Sequence, residues 1–286
     1  MAAAISATFS TTQSAETRAT RANDQRPTSN MPEIIRLDSA DVAFPWPALH
    51  NDPILVSTKA VFFDVDFTLI FPGPTFRGEG YRAFCARYGM DVDVSAFAGA
   101  VAGAAPLLDG PEDAPYDAEI FVQYTRRIIE GMGGAGPNLD ACAREVYAEW
   151  AACQHFELYD DVPDVLRALS AAGLRIGLIS NSHRCLASFQ SHFELQGLIS
   201  ATVSSSEHGF MKPHPSIFSA ALQLVDVAPA DAVMVGDSLR HDVEGAIRAG
   251  MRGVLLHRGE TPAAGAAELG VPVIRSLREL PPLLIG

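Results

Sequence analysis

The sequence has no apolar run near the roughly 18–20 residues that a membrane-spanning helix needs. Its longest apolar stretches, such as Leu174–Ile179, are short and interrupted by Gly, Asp or Arg. It also lacks a secretory signal: Met1–Ser10 offers neither a basic start nor an apolar core. These absences predict a soluble, cytoplasmic protein without a membrane partner. Arg18, Arg21 and Arg26, in an early stretch poor in acids, leave an organelle transit peptide open. Lysine is nearly missing. Lys59 and Lys212 are the only two among 21 basic residues, which face 34 acidic ones for a formal net charge of −13. So acidic a surface repels phosphodiester backbones and excludes nucleic acid as a general partner. The four cysteines (Cys85, Cys142, Cys153 and Cys185) show no CxxC spacing, and no His cluster accompanies them at zinc-ligand spacing. Reduced, mostly buried thiols are the expectation.

What remains is a chain of 286 residues, 48% hydrophobic, long enough for a sizeable core. Residues 1–54 read as a disordered or irregular extension. The first part is Ala, Ser, Thr, Arg and Asn without periodicity, and the later part carries Pro32, Pro45, Pro47 and Pro53. Short Val-, Ile- or Phe-rich runs then end in polar clusters: Ala60–Val65, Arg175–Ser180 and Ala232–Gly236, with weaker ones at Ala201–Ser204 and Gly253–His257. Helical patterns alternate with them. Val162–Ala172 starts after Asp161 with Pro163 in its first turn and stops at Gly173; Val243–Ala249 stops at Gly250. This alternation predicts an α/β fold, a doubly wound parallel sheet of Rossmann type. The stretch 74–155 breaks the rhythm with amphipathic helices near Gly80–Tyr88, Ser95–Ala102, Asp117–Glu130 and Leu139–Cys153. It reads as a helical insert between two parts of the core, residues 55–73 and 156–286. No internal repeat is visible.

In open α/β sheets ligands bind at the carboxyl ends of the strands. The first run is followed by Asp64, Asp66 and Thr68, the second by Ser180 and Asn181, and the third by Asp237 and then Asp242. Lys212 lies between the second and third runs, before Pro213. Carboxylates buried at a sheet edge are costly unless a cation meets them. At least three acids, one fixed positive charge and one hydroxyl suit Mg²⁺ and phosphoryl transfer. Bland alternatives stay open: turn capping for Asp64 and Asp66, ordinary turn chemistry for Ser180 and Asn181, and helix capping for Asp242.

At these residues the sequence resembles the haloacid dehalogenase superfamily, in the subgroup with a helical C1-type cap. Asp64–Val65–Asp66–Phe67–Thr68 is similar to its DxDxT motif and Ile179–Ser180–Asn181 to its second motif. Lys212–Pro213 is similar to the third, and Gly236–Asp237–Ser238 through Asp242 to the fourth. The resemblance covers about Lys59 to Leu256, with all four motifs in order. It implies a Mg²⁺-dependent phosphatase acting on a small phosphorylated metabolite through an aspartyl-phosphate. Asp64 would be the nucleophile and Asp66 the acid and then base. Thr68, Ser180, Asn181 and Lys212 would contact phosphate, with Ser180 and Lys212 also catalytic. Asp64, Asp66, Asp237 and Asp242 would serve the metal. An acid at Asp66 is similar to the phosphatases and phosphomutases rather than the true dehalogenases. Phe67 departs from the Gly often found there. A phosphomutase or phosphotransferase would use the same residues, and a non-catalytic binding protein would keep only the fold. Substrate identity and oligomeric state stay open.

Overall fold

The computed structural model describes residues 58–259 and 265–285. The expected irregular extension, residues 1–54, lies outside the described residues. Among the described residues eight strands are formed: β1 (Ala60–Phe63), β2 (Ile70–Pro72), β3 (Phe156–Leu158), β4 (Arg175–Ser180), β5 (Ala201–Ser204), β6 (Ala232–Gly236), β7 (Arg252–Leu256) and β8 (Val273–Ile274). Six of them make one sheet in the order β5-β4-β1-β6-β7-β8, with every neighbouring pair parallel. This is the α/β fold the sequence predicts, with β1 at its centre.

The four residues of β1 are all fully buried, because both of its faces are covered. Val61 and Phe63 join one apolar cluster and Ala60 and Phe62 another, as strand alternation requires. Val61, Phe62 and Phe63 each contribute roughly 1.5–3 kcal/mol by leaving water. Gly177 on β4 makes room for the Phe62 ring, since a Cβ there would lie 2.4 Å from it.

Among the described residues there are seven helices of seven residues or more. They are α1 (Gly78–Arg87), α2 (Phe97–Ala104), α3 (Ala118–Gly131), α4 (Leu139–Glu149), α5 (Val162–Ala171), α6 (Leu186–His192) and α7 (Pro215–Val225). The first four lie between β2 and β3, which pair antiparallel with Pro72 opposite Phe156. Among the described residues no helix is long and apolar enough to cross a membrane. The cysteines are free thiols, with Cys185 alone exposed.

Several boundaries differ from expectation. The first strand ends at Phe63, because Asp64 already turns toward the loop while its N–H still donates to Val235 O at 3.0 Å. The helix expected over Leu139–Cys153 stops at Glu149, followed by a separate 3₁₀ turn at Cys153–His155. The helix expected over Val243–Ala249 begins earlier, as a π-helical stretch over Leu239–Glu244 that continues into Gly245–Arg248. That wide turn carries Asp242 back beneath the end of β6. Strands β2, β3 and β8, of two or three residues each, are too short for periodicity to announce them.

Candidate active site

Three strand ends converge at one edge of the sheet. β1 delivers Asp64 and Asp66, β4 delivers Ser180 and Asn181, and β6 delivers Asp237 and then Asp242. The loop before α7 brings Lys212, whose bond to Pro213 is cis. The Lys212 ammonium donates to Asp64 Oδ1 at 2.6 Å, Asp242 Oδ1 at 2.6 Å and Ile179 O at 2.8 Å, so all three of its protons are placed. Carboxylate oxygens of Asp64, Asp237 and Asp242 lie within 4.8 Å of one another. Gly236 permits this closeness: a Cβ there would stand 2.2 Å from Asp242 Oδ2. Asp242 also accepts from Ser238 N at 3.0 Å, so it fastens its own loop as well as facing Lys212.

The charges in this cluster do not cancel. Burial, helped by the carboxylates of Asp242 and Asp237, pushes Asp64 up to about 7 against the opposing pull of Lys212. Burial, with Asp242 adding to it, pushes Asp237 up to about 6. Burial favours the neutral amine of Lys212, yet Asp242 and Asp64 together hold it above the usual lysine range. Four carboxylates (Asp64, Asp66, Asp237 and Asp242) meet two fixed cations (Lys212 and Arg184), an excess of two negative charges when all are ionised. A divalent cation among Asp64, Asp237 and Asp242 removes that excess. An all-oxygen donor set of this kind fits Mg²⁺.

Other residues take positions the sequence did not announce. Asn181 clamps the lysine loop. Its side-chain amide donates to Lys212 O at 2.9 Å, and its oxygen accepts from Lys212 N at 2.7 Å. Ser180 is fully buried, with its hydroxyl 2.9 Å from that of Ser182. Thr68 is also fully buried, and its hydroxyl has no hydrogen-bond partner among the described residues. Neither Ser180 nor Thr68 lines the cavity over the carboxylates, whereas Asp64, Asp66, Asn181, Lys212, Asp237 and Asp242 do. His241, also in that lining, is pulled down to about 4 by burial and stays neutral beside Ser238.

The main residue missed in the sequence is Arg184. Its Nη1 donates to both oxygens of Asp66, at 3.0 and 2.9 Å, and its Nη2 donates to Trp150 O at 2.8 Å. The guanidinium lies 4.4 Å from the centre of the Phe156 ring. Arg184 is 1% exposed and therefore a wholly internal cation. Its only sequence signal is its place four residues beyond the end of β4, which a solvated loop arginine would share. Phe67 explains itself here. It has φ 66°, the left-handed region where a bulky side chain costs about 1–2 kcal/mol. Its ring is buried against Trp150, with centroids 6.4 Å apart, which offsets that strain.

The geometry agrees with the comparisons to known proteins. The haloacid dehalogenase-like hydrolase model matches residues 58–250, and this chain belongs to that family. It is 30% identical over 247 residues to N-acylneuraminate-9-phosphatase of Homo sapiens, covering 80% of this chain and 95% of that one. It is 32% identical over 167 residues to haloacid dehalogenase-like hydrolase domain-containing protein 3 of Danio rerio, covering 56% of this chain and 68% of that one. Among solved structures, a HAD phosphatase from Thermococcus onnurineus superposes with a TM-score of 0.54 at 20% identity, covering 79% of this chain and 97% of that chain. A 2-haloacid dehalogenase from Pseudomonas syringae pv. Tomato DC3000 gives the same TM-score at 24% identity. Those two likenesses establish the fold. The chain is a hydrolase by family.

Proposed function

We propose that this hydrolase removes phosphate from a small phosphomonoester through an aspartyl-phosphate formed on Asp64. One observation carries the reading: a buried Lys212 ammonium 2.6 Å from each of two carboxylates, within an acidic group that has room for a divalent cation. Relatives named as N-acylneuraminate-9-phosphatase and phosphoserine phosphatase support the same reaction class. In the first step an Asp64 oxygen attacks phosphorus and the bond to the leaving alcohol's oxygen breaks. Asp66, entering the step protonated, gives that oxygen its proton and leaves as the carboxylate. In the second step water attacks the acyl phosphate, Asp66 takes the water's proton, and the Asp64 carboxylate is regenerated. Lys212 offsets the repulsion between phosphate and nucleophile. Mg²⁺ held by Asp64, Asp237 and Asp242, with the Asp66 backbone carbonyl, would add charge neutralisation for the phosphoryl group. Arg184 positions Asp66 by gripping both of its oxygens.

The division into a core of residues 55–73 and 156–286 and a cap of residues 74–155 belongs to the same reading, with the cap as a lid. Contacts between the two parts support it. Tyr116 N donates to Gly209 O at 2.8 Å, and Arg240 donates to Gly110 O at 2.9 Å. The test is release of inorganic phosphate from a panel of phosphomonoesters, with Mg²⁺ and with chelator, by the unaltered chain and by Asp64→Asn. Release that needs Mg²⁺ and disappears in the variant is expected. Substantial turnover by Asp64→Asn would remove the nucleophile from the scheme, and phosphate passing to a second hydroxyl instead of water would make the enzyme a transferase.

A further inference from the structure

Beside the carboxylate cavity lies a second one, and the two share Leu108, Phe121 and Asn181 in their walls. It is a partly enclosed hollow that opens to solvent. Its walls come mainly from the helices: Tyr81 on α1, Phe121 and Tyr124 on α3, Tyr147 on α4, and Trp150 just beyond α4. His183, in the loop after β4, closes one side, its ring 4.1 Å from that of Tyr147. Because Leu108, Phe121 and Asn181 wall both cavities, the aromatic space adjoins the place where a phosphoryl group at Asp64 would sit.

The chemistry of the walls is selective. No Lys or Arg lines this cavity. The arginines of the helical segment are engaged elsewhere, on exposed surfaces: Arg82 with Glu79, Arg87 with Glu145, Arg126 with Asp140, and Arg144 with Glu119. Arg184 is committed to Asp66 and Trp150. A carboxylate or second phosphate drawn into the cavity would therefore lose its water without gaining a cation, which is costly. The walls instead offer aromatic faces, and behind them lie two polar atoms, the Tyr124 hydroxyl and His183 Nε2. Both are buried, and neither has a hydrogen-bond partner among the described residues. Burial lowers the His183 pKa, which keeps this ring neutral.

Resting on the phosphatase reading, we infer that the leaving group is an uncharged, ring-sized apolar alcohol with at most neutral hydrogen-bonding groups, held between the aromatic side chains of α3 and α4. This separates the chain from a relative whose name specifies an acidic sugar phosphate.

The test compares kcat/KM of the full chain with Mg²⁺ for 2-phenylethyl phosphate and for 3-phosphoglycerate, both primary alkyl phosphates. A preference of at least about tenfold for the phenyl ester is expected. Equal rates, or a preference for the acid, would overturn the inference and leave the phosphatase reading standing. A second measurement needs no turnover. The chain has two tryptophans, Trp46 and Trp150, and Trp150 lines the cavity, so 2-phenylethanol should change the emission on binding. Tyr124→Arg, which adds a cation to the wall, should weaken that binding at least about tenfold and shift preference toward 3-phosphoglycerate. Absence of any response to the alcohol in the unaltered chain also overturns the inference. A response to the alcohol without phosphate release from any ester would reject the phosphatase reading, and the leaving-group assignment with it. Should Tyr124→Arg fail to fold, the two esters on the unaltered chain still decide.

Discussion

Two buried acid–base clusters lie near the carboxyl ends of the sheet strands, and they are built on opposite rules. Asp161, just before α5, is 1% exposed and every part of its carboxylate is met. It accepts from Arg258 Nη1 and Nη2 at 2.9 Å each, from Ser276 Oγ at 2.7 Å and from Leu277 N at 2.9 Å. Against the cost of burial, Arg258 and Ser276 hold this carboxyl below the usual range. Asp64 is also buried but shares one lysine with Asp242 and lies close to Asp237, and it is pushed up to about 7. Burial weighs on both carboxyls and more heavily on Asp64, and the partners differ too: four donors meet Asp161, whereas Asp64 shares one lysine. A balanced cluster holds structure together: Arg258 also donates to Thr68 O at 3.1 Å, tying the turn after β1 to the start of α5. An acid-rich cluster is unfinished until a cation joins it.

The sharpest way to break this comparison is to neutralise one acid in each cluster. Asp64→Asn should lower phosphate release by about 10³-fold or more, because a nucleophile has no substitute. Its urea midpoint should stay the same or rise, since an excess buried charge is gone. Asp161→Ala should do the reverse. Leaving Arg258 without its partner should cost about 3–5 kcal/mol of stability in urea unfolding, while turnover per folded molecule is retained. If both variants lost stability alike, the distinction between the clusters would fail.

Metal binding sharpens the contrast with a smaller effect. Mg²⁺ at a hundredfold excess over its dissociation constant should stabilise the chain by about 2.7 kcal/mol. Thermal denaturation with and without Mg²⁺ measures this. Asp237→Asn should abolish the increment, and Asp161→Asn should leave it intact. Smaller again is the expected effect of Arg184→Lys, which keeps the charge but loses the fork that joins Asp66, through Nη1, to Trp150 O, through Nη2. We expect kcat to fall about tenfold with KM little changed, because Asp66 is aimed less well. A change confined to KM would instead assign Arg184 to substrate binding.

How legible these clusters were follows from their chemistry. Asp64, Lys212, Asp237 and Asp242 could be read because each is a polar residue at a strand end or in a loop, where a buried sheet otherwise has no use for it. The central strands were legible for the complementary reason, as short apolar runs ended by polar clusters. Arg184 was not, since nothing local distinguishes an internal arginine from a solvated one until Asp66, 118 residues earlier, is seen against it. Tyr81, Phe121, Tyr124 and Tyr147 carry the helical period that core residues also carry, so only the fold separates a cavity wall from packing. Asp161 was visible only as the residue preceding a helix, because its partners Arg258 and Ser276 lie some hundred residues away. Asn181 was read as a phosphate contact because its role as a backbone clamp depends on where Lys212 folds back.

The smallest expected effect is a pH dependence specific to the balanced cluster. The folded Asp161 carboxyl is held below its unfolded value, about 3.9, so the folded state binds this proton more weakly than the unfolded chain does. The stability it contributes is therefore fully present above about pH 5 and is lost as pH falls through the folded value. Comparing the unaltered chain with Asp161→Asn by urea midpoint, in chelator and at constant ionic strength, isolates that contribution. The difference between them should be flat from about pH 5 to 8 and should shrink below about pH 4. The chelator matters because it prevents metal binding at the other cluster from adding its own pH dependence. A difference that instead grew on acidification would mean that Arg258 does not stabilise the charged form of Asp161, and the contrast between a finished and an unfinished cluster would have to rest on hydrogen bonding alone.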